Sequence, residues 1–238
     1  MTRVWVGALM VTLMCLMPLA AAPAADRVGP PNVTADAPKS ALASAGEPAR
    51  AKVVRHVDTR DPVAFLTIDD GIHRTAAAAE VLDGIPATFF LNSGPVTAGK
   101  DYWSALGHPI QAHTIRHPTL TRLDAQGQRE EVCGNAARIS KFTGKPVWML
   151  RPPYGVFNAT TQHVAAGCGI DYIVMWDAIA ENGRMQYGRG GGMTPGTIIL
   201  LHFTPRLADD LRMALAAMRK AGLQPGDLTE YLPARSTR

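Results

Sequence analysis

The sequence has few cysteines and no pair of them spaced for a metal-binding knuckle. Three cysteines occur in 238 residues, and Cys15 lies within an N-terminal apolar run. Cys133 and Cys168 are far apart and belong to no Cys-x-x-Cys pair, which argues against a structural zinc module. In an oxidising compartment a disulfide between them is favoured, and two separate buried thiols are the alternative.

Charge is also sparse, and it is not organised for binding nucleic acid. Only 18% of residues are charged, and the formal net charge of +4 comes from basic residues that are scattered along the chain. They form no basic stripe with interleaved aromatic residues, so we expect no nucleic-acid partner. The glycine-rich stretch Gly188–Gly192 follows no predicted strand, and we interpret it as a loop and not as a phosphate-binding turn.

Long apolar runs are confined to the N-terminus. Arg3 precedes the apolar run Val4–Leu19, and small residues follow it in the sequence AAAPAA. This three-part pattern predicts a secretory signal peptide over residues 1–25, with an uncleaved membrane anchor as the alternative. In either case we expect the protein to be secreted or associated with the cell envelope.

The remaining chain divides into a linker and one domain. Residues 26–55 are rich in Pro, Ala and Ser without apolar periodicity, which predicts a flexible linker or tether. Residues 56–238 are long enough for one sizeable core, so we expect a single catalytic-size domain and a monomer.

Within this domain, short apolar runs alternate with helical segments. The predicted strands are Val63–Ile68, Ala87–Leu91, Pro109–His113, Val147–Leu150, Tyr172–Trp176 and Thr197–Leu201. The predicted helices are Thr75–Leu82, Asp124–Phe142, Asn158–Ala166 and a final one from Leu207 that ends before Gly222. This repetition predicts parallel strands joined by helical crossovers, in an open sheet or a barrel.

Polar side chains recur where these strands end. They are Asp69, Asp70, His113, Arg151, Trp176, Asp177 and His202. Because the carboxyl ends of parallel strands meet at one face, we expect these residues to share a site.

The histidines of HTIRH predict a metal site when they are taken together with the acidic pair. His113 and His117 are four residues apart, and Pro118 limits any helix there to a single turn. Two imidazoles and a carboxylate suit zinc, nickel, cobalt or ferrous iron. The adjacent carboxylates Asp69 and Asp70 repel each other unless a cation lies nearby, and a metal and an arginine would meet that need. The alternative is that Asp-Asp-Gly only ends the strand.

The sequence contains four motifs in this order: TIDDG, HTIRH, RPPYG and LLH. Together they resemble those of the polysaccharide deacetylase family, the NodB-homology domains of carbohydrate esterase family four. The resemblance extends roughly over residues 63–232. It implies a distorted (β/α) barrel and a metal-dependent hydrolase that removes acetyl groups from a polysaccharide. Zinc is the expected metal, with cobalt and nickel as alternatives.

The resemblance also implies a role for each matching residue. Asp69 matches the catalytic base, Arg151 the arginine that holds it, and His202 the general acid. The other matches are Asp70, His113 and His117 as metal ligands, Tyr154 as a backbone oxyanion donor, and Leu200 as a wall of the acetyl pocket. Ile72 stands where the family usually has proline.

The fourth motif of the family, Asp-x-x-Asp-Trp, is altered here. Alignment on Trp176 in MWDAIAENG puts Ile179, Asn182 and Gly183 where the two aspartates and the tryptophan would lie. We therefore assign Trp176 and Asp177 to the substrate pocket, with Asp177 as a substitute for the missing carboxylate.

The resemblance favours N-deacetylation of N-acetylglucosamine units in peptidoglycan or a chitin-like glycan. An O-acetyl esterase that acts on xylan is the alternative within the same fold. A degenerate domain that binds wall glycan without turnover is the alternative outside enzymes, and the altered fourth motif is its basis.

Overall fold

The computed structural model describes residues 49–188 and 190–235. The predicted signal peptide and most of the predicted linker lie outside these residues. Among the described helices, none is long and apolar enough to cross a membrane.

Strands and helices alternate along most of the described chain. The strands are β1 (Lys52–Val54), β2 (Val63–Asp70), β3 (Ala87–Leu91), β4 (Ile110–Ala112), β5 (Met149–Leu150), β6 (Tyr172–Val174), β7 (Ala178–Glu181), β8 (Arg184–Tyr187), β9 (Ile198–His202) and β10 (Gln224–Pro225). The helices are α1 (Ala76–Leu82), α2 (Ser93–Ala98), α3 (Lys100–Leu106), α4 (Ala125–Thr143), α5 (Ala159–Gly167), α6 (Leu207–Lys220) and α7 (Leu228–Tyr231). Short 3-10 turns cover Leu120–Arg122 and Pro153–Gly155.

The sheet is a curled, mostly parallel half-barrel. Its strand order is β1-β6-β5-β4-β3-β2-β9-β7-β8, and β10 also pairs with β2. Among the strand pairs of the described residues, β7–β8 is antiparallel and the others are parallel. Because residues 175–177 alone separate β6 from β7, one stretch of chain joins strands from the two sides of the sheet and curls it. The distorted (β/α) barrel that the sequence predicts is therefore confirmed.

Burial on both faces explains why the sequences of the central strands are continuous apolar runs and do not alternate between apolar and polar residues. All five residues of β3 and six of the eight in β2 are buried. Parallel strands covered on both faces have this pattern. Local capping fixes the helix starts: Asp124 accepts the Gly127 N–H, and Asn158 forms a capping box with Thr161.

The structure contains elements that the sequence did not predict, among them α2, α3, α7 and β10. Two further differences have a clear physical reason. The segment predicted as linker contains β1, which pairs with β6 and buries Ala51 and Val54. The strand is too short, after a Pro- and Ala-rich stretch, to give a periodic signal. The β7–β8 hairpin was also not predicted, because β8 is mostly exposed and polar. Gly188 therefore does follow a strand. The next described element after this glycine-rich stretch is β9 and not a helix.

A disulfide joins two neighbouring helices. Cys133 in α4 and Cys168 at the C-cap of α5 are bonded, with their Cα atoms 5.2 Å apart and a sequence separation of 35. Cross-linking a loop of this length restricts the unfolded chain more than the folded one.

Replacing both cysteines by serine should therefore lower the free energy of unfolding by roughly 3 to 4 kcal/mol, through the entropy that the unfolded chain regains. Denaturant titration of the oxidised wild type and of the Cys133→Ser/Cys168→Ser protein measures this difference. A loss below about 1 kcal/mol would contradict a stabilising role for the disulfide.

Candidate active site

One cavity lies at the carboxyl ends of β2, β4 and β9. The loops that follow β4, β5 and β6 complete its wall. Its volume is about 350 Å³. Its lining residues are Asp69, Asp70, His113, His117, Pro152, Tyr154, Trp176, Leu200 and His202. Nearly all the residues that the sequence assigned to a site thus face one space, with Arg151 buried behind Asp69 and Asp177 directed elsewhere.

Asp70, His113 and His117 form a cluster of three potential metal ligands. The Asp70 Oδ1 lies 3.3 Å from the His113 Nε2 and 3.5 Å from the His117 Nε2. One ligand atom from each residue lies within 4.8 Å of the other two. One carboxylate and two imidazoles leave coordination positions open, as catalytic zinc sites do.

The hydrogen bonds of His113 fit the role of a metal ligand. Its Nδ1 lies 2.7 Å from the carbonyl oxygen of Arg151. Since a carbonyl only accepts, Nδ1 carries a proton, and Nε2, on the side of Asp70 and His117, is the nitrogen that a metal ion could bind. The hydrogen bond from Nδ1 to the Arg151 carbonyl thus keeps a proton on Nδ1 and leaves Nε2 as the nitrogen for metal binding.

The charges in the cluster also favour a cation. Burial opposes charging of His113, but the Asp69 and Asp70 carboxylates raise its pKa above the ordinary value. Burial alone would raise the pKa of the Asp70 carboxyl, yet the hydrogen bond and charge of His113 hold that pKa below its ordinary value. Two carboxylates at a buried imidazole make a site where positive charge is stabilised, and a divalent ion would supply it.

The loop that carries both histidines is not helical, although the four-residue spacing would have permitted a single helical turn. Thr114 and His117 have positive φ angles of 70° and 61°, and the backbone bends between them. Buried Glu131 in α4 holds this bend: its Oε2 accepts from the backbone N–H groups of Ile115 and Arg116, both at 2.9 Å. Its Oε1 pairs with the Arg116 guanidinium at 2.6 Å.

Two buried asparagines fix the start of the same loop. Asn135 in α4 accepts the His113 backbone N–H at 2.9 Å and donates to the Leu91 carbonyl at 3.2 Å. Asn92, after β3, donates to the His113 carbonyl at 2.6 Å. Sequence reasoning missed these residues and Glu131. Polar residues at buried positions of an otherwise amphipathic helix are the signal that could have identified the two on α4.

Asp69 is held by a buried arginine. The Arg151 Nη1 donates to the Asp69 Oδ1 at 2.8 Å, and the two side chains are 0% and 4% exposed. The guanidinium also donates to the carbonyls of Val174, at 3.1 Å, and Met175, at 3.3 Å, and it lies 4.4 Å from the Phe90 ring centroid. Two backbone carbonyls therefore orient Arg151, and no second carboxylate is needed for this.

Asp177 does not lie where the sequence analysis placed it. Trp176 lines the cavity, and because successive side chains of an extended chain point to opposite sides, Asp177 points away. Its Oδ2 lies 2.5 Å from the His56 Nδ1, and its Oδ1 accepts the Ile198 N–H. Asp177 thus anchors the chain after β1, and its assignment to the substrate pocket needs correction.

Tyr154 forms an exposed rim beside the ligand cluster. Tyr154 has a φ of 59° and its ring meets the His117 ring edge-on at 4.6 Å. Tyr154 is 65% exposed, and Ile72, two residues after Asp70 in sequence, is 61% exposed. An open rim of this kind leaves the cavity accessible to a large substrate.

Comparison with known proteins identifies the family. The sequence model of the polysaccharide deacetylase family matches residues 56–173. The chain is 34% identical over 245 residues to an uncharacterised protein of Streptomyces coelicolor, covering 95% of each. It is 32% identical over 163 residues to a chitooligosaccharide deacetylase of Rhizobium leguminosarum bv. trifolii, covering 58% of this chain and 70% of that one. The chain therefore belongs to the polysaccharide deacetylase family.

A solved structure supports the same relationship. A family 4 carbohydrate esterase from Bacillus anthracis superposes with a TM-score of 0.63 at 27% identity, over 77% of this chain and 88% of that chain. The family resemblance that the four sequence motifs indicated is thus confirmed.

Removing either imidazole of the cluster should abolish tight metal binding. We expect His113→Ala and His117→Ala to weaken the affinity for zinc by more than about 100-fold, since loss of supporting residues alone costs 10- to 100-fold. Isothermal titration calorimetry of the metal-stripped protein measures the affinity, and His163→Ala, at an imidazole outside the cluster, is the control. Unchanged affinity in His113→Ala would contradict the site.

Proposed function

We propose that the protein is a metal-dependent hydrolase that removes acetyl groups from N-acetylglucosamine units of an extracellular polysaccharide, either peptidoglycan or a chitin-like glycan. One observation carries the proposal. A carboxylate held by a buried arginine, Asp69, adjoins the cluster Asp70–His113–His117, and His202 lies in the same cavity. A base, a metal site and a proton donor are the set that amide hydrolysis requires.

Asp69 and Arg151 would act on the attacking water. When bound, a divalent ion polarises the acetyl carbonyl and makes water more acidic. Asp70, His113 and His117 would hold that ion. Asp69 would accept a proton from the water while the water oxygen bonds to the acetyl carbon. The arginine keeps this base in one orientation.

The remaining residues would act on the acetyl group and the amine. The backbone N–H of Tyr154 would stabilise the oxyanion that develops on the carbonyl. Leu200 and Trp176 line the cavity and would contact the acetyl methyl group. His202 would donate a proton to the nitrogen as the carbon–nitrogen bond breaks, releasing acetate and a free amine.

The proposed location is extracytoplasmic. The predicted signal peptide or anchor supports it, and so does the expected linker, which would let the domain reach a surface polymer. The exposed rim at Tyr154 is consistent with a polymeric substrate.

The altered fourth motif favours a second candidate, a domain that binds wall glycan without turnover. The contacts of Arg151 weigh against it. Val174 and Met175 carbonyls orient the guanidinium, so Asp69 keeps its partner although the motif has changed. A binding domain would not need the base, the metal cluster and His202 together.

Acetate release from a substrate panel tests the proposal. We expect the metal-stripped protein, after addition of zinc, cobalt or nickel, to release acetate from chitooligosaccharide or peptidoglycan faster than from acetylated xylan. Faster release from xylan would favour an O-acetyl esterase. No release from any substrate, with metal shown to be bound, would favour the binding domain.

Asp69→Asn should lower turnover by roughly 10²- to 10⁴-fold, because an amide cannot act as the base. Zinc affinity should stay within a few-fold of wild type, since Asp69 is not among the three proposed ligands. Steady-state acetate release and calorimetry measure the two effects. Most of the activity surviving in Asp69→Asn would show that another group accepts the proton.

A further inference from the structure

The two ring nitrogens of His202 lie in different surroundings. The side chain is 29% exposed and lines the cavity. Its Nδ1, however, is buried, and no hydrogen-bond partner lies within reach among the described residues. Leaving a buried polar atom unpaired is costly, so such an atom points to a partner that approaches in another state of the molecule.

Glu181 is the acidic group at that position. Its Oε1 lies 3.6 Å from the His202 Nδ1, just beyond hydrogen-bond distance, and its side chain is 40% exposed. A small rotation about the side-chain bonds of Glu181 would shorten this distance to about 2.8 Å, the usual length of such a bond.

The backbone places Glu181 beside His202. Strand β7 pairs in parallel with β9, with Ala178 opposite Ile199 and Ile179 opposite Leu200. Continuing this register by two residues brings Glu181 alongside His202.

The hairpin turn that follows Glu181 is anchored on α6. Buried Asp210 accepts the backbone N–H groups of Asn182, at 3.2 Å, and Gly183, at 2.8 Å. Asn182 and Gly183 both have positive φ angles, as the two central residues of a tight hairpin turn require. The turn therefore has a fixed place, and Glu181 is held one residue before it.

We propose that Glu181 is a positioning residue for His202. Its carboxylate accepts a hydrogen bond from Nδ1–H and so holds the ring with Nε2 directed to the cavity. In the imidazolium form of His202, the Nε2 proton is the one that passes to the leaving nitrogen, while Nδ1–H stays bonded to Glu181. The proposal rests on the proposed function, in which the leaving nitrogen takes its proton from His202. The residue comes from the β7–β8 hairpin, which the sequence did not predict.

The consequence depends on the leaving group. An amide nitrogen must be protonated before it can leave, whereas 4-nitrophenolate leaves without a proton. A residue that orients the proton donor should therefore matter for an N-acetyl substrate and not for 4-nitrophenyl acetate. A residue that only supports the fold would affect both substrates alike.

We expect Glu181→Ala to lower kcat on chitooligosaccharide by roughly 10- to 100-fold, a part of the usual contribution of a general acid, with KM nearly unchanged. Hydrolysis of 4-nitrophenyl acetate should change by less than about two-fold. Glu181→Gln, which keeps an acceptor oxygen at the same reach, should recover part of the loss. Gln186→Ala, on the neighbouring strand, is the control. An equal loss on both substrates, or no loss on either, would overturn the proposal.

A second measurement separates this proposal from the proposed function. In the protein with ¹⁵N-labelled histidine, the His202 signals, assigned with His202→Ala, report which ring nitrogen carries the proton. With the ring in its neutral form, we expect Nδ1 to carry the proton in the wild type and the tautomer balance to shift toward Nε2–H in Glu181→Ala. Identical tautomers in the two proteins would overturn the role of Glu181, whereas an inactive wild type with this shift would reject only the deacetylase assignment.

Discussion

The buried ion pair between Asp69 and Arg151 is the interaction on which the site depends. Both side chains are almost completely buried. Arg151 also donates to two carbonyls at the end of β6, those of Val174 and Met175, and accepts from His113 through its own carbonyl. One residue thus connects the proposed base, one proposed metal ligand and the strand that curls the sheet. Removing one partner of such a pair leaves an uncompensated buried charge, which typically costs about 3 to 5 kcal/mol. The chemistry and the stability of this region are therefore coupled.

Around this pair, polar residues on helix α4 fix the loop that follows β4. Glu131 and Asn135 are both buried and satisfy backbone groups of a loop that has no regular structure of its own. Buried polar groups that are fully paired rigidify a structure, and supporting groups of this kind are what keep metal ligands in place. The strands bring the functional side chains to one face of the sheet, and α4 gives two of them their final direction.

The long apolar strands could be predicted, because burial on both faces produces continuous apolar runs. The helices α1, α4, α5 and α6 could be predicted as well, whereas α2 and α3, both short, were missed. Asp70, His113 and His117 could be assigned to one site because all three follow strand ends. The β7–β8 hairpin could not be predicted, since its outer strand is short, polar and exposed. The side-chain direction of Asp177 was also beyond the sequence: its neighbour Trp176 indicated the cavity, but alternation along the chain turns Asp177 toward His56.

The central claim is that Asp70, His113 and His117 bind a divalent ion while Asp69 remains paired with Arg151. Anomalous diffraction at the zinc edge, from crystals of the zinc-loaded protein, tests this claim most directly. The account predicts one anomalous peak within bonding distance of the three ligands and an intact Asp69–Arg151 hydrogen bond. A peak ligated by Asp69 in place of Asp70, or no peak at this cluster, would contradict it.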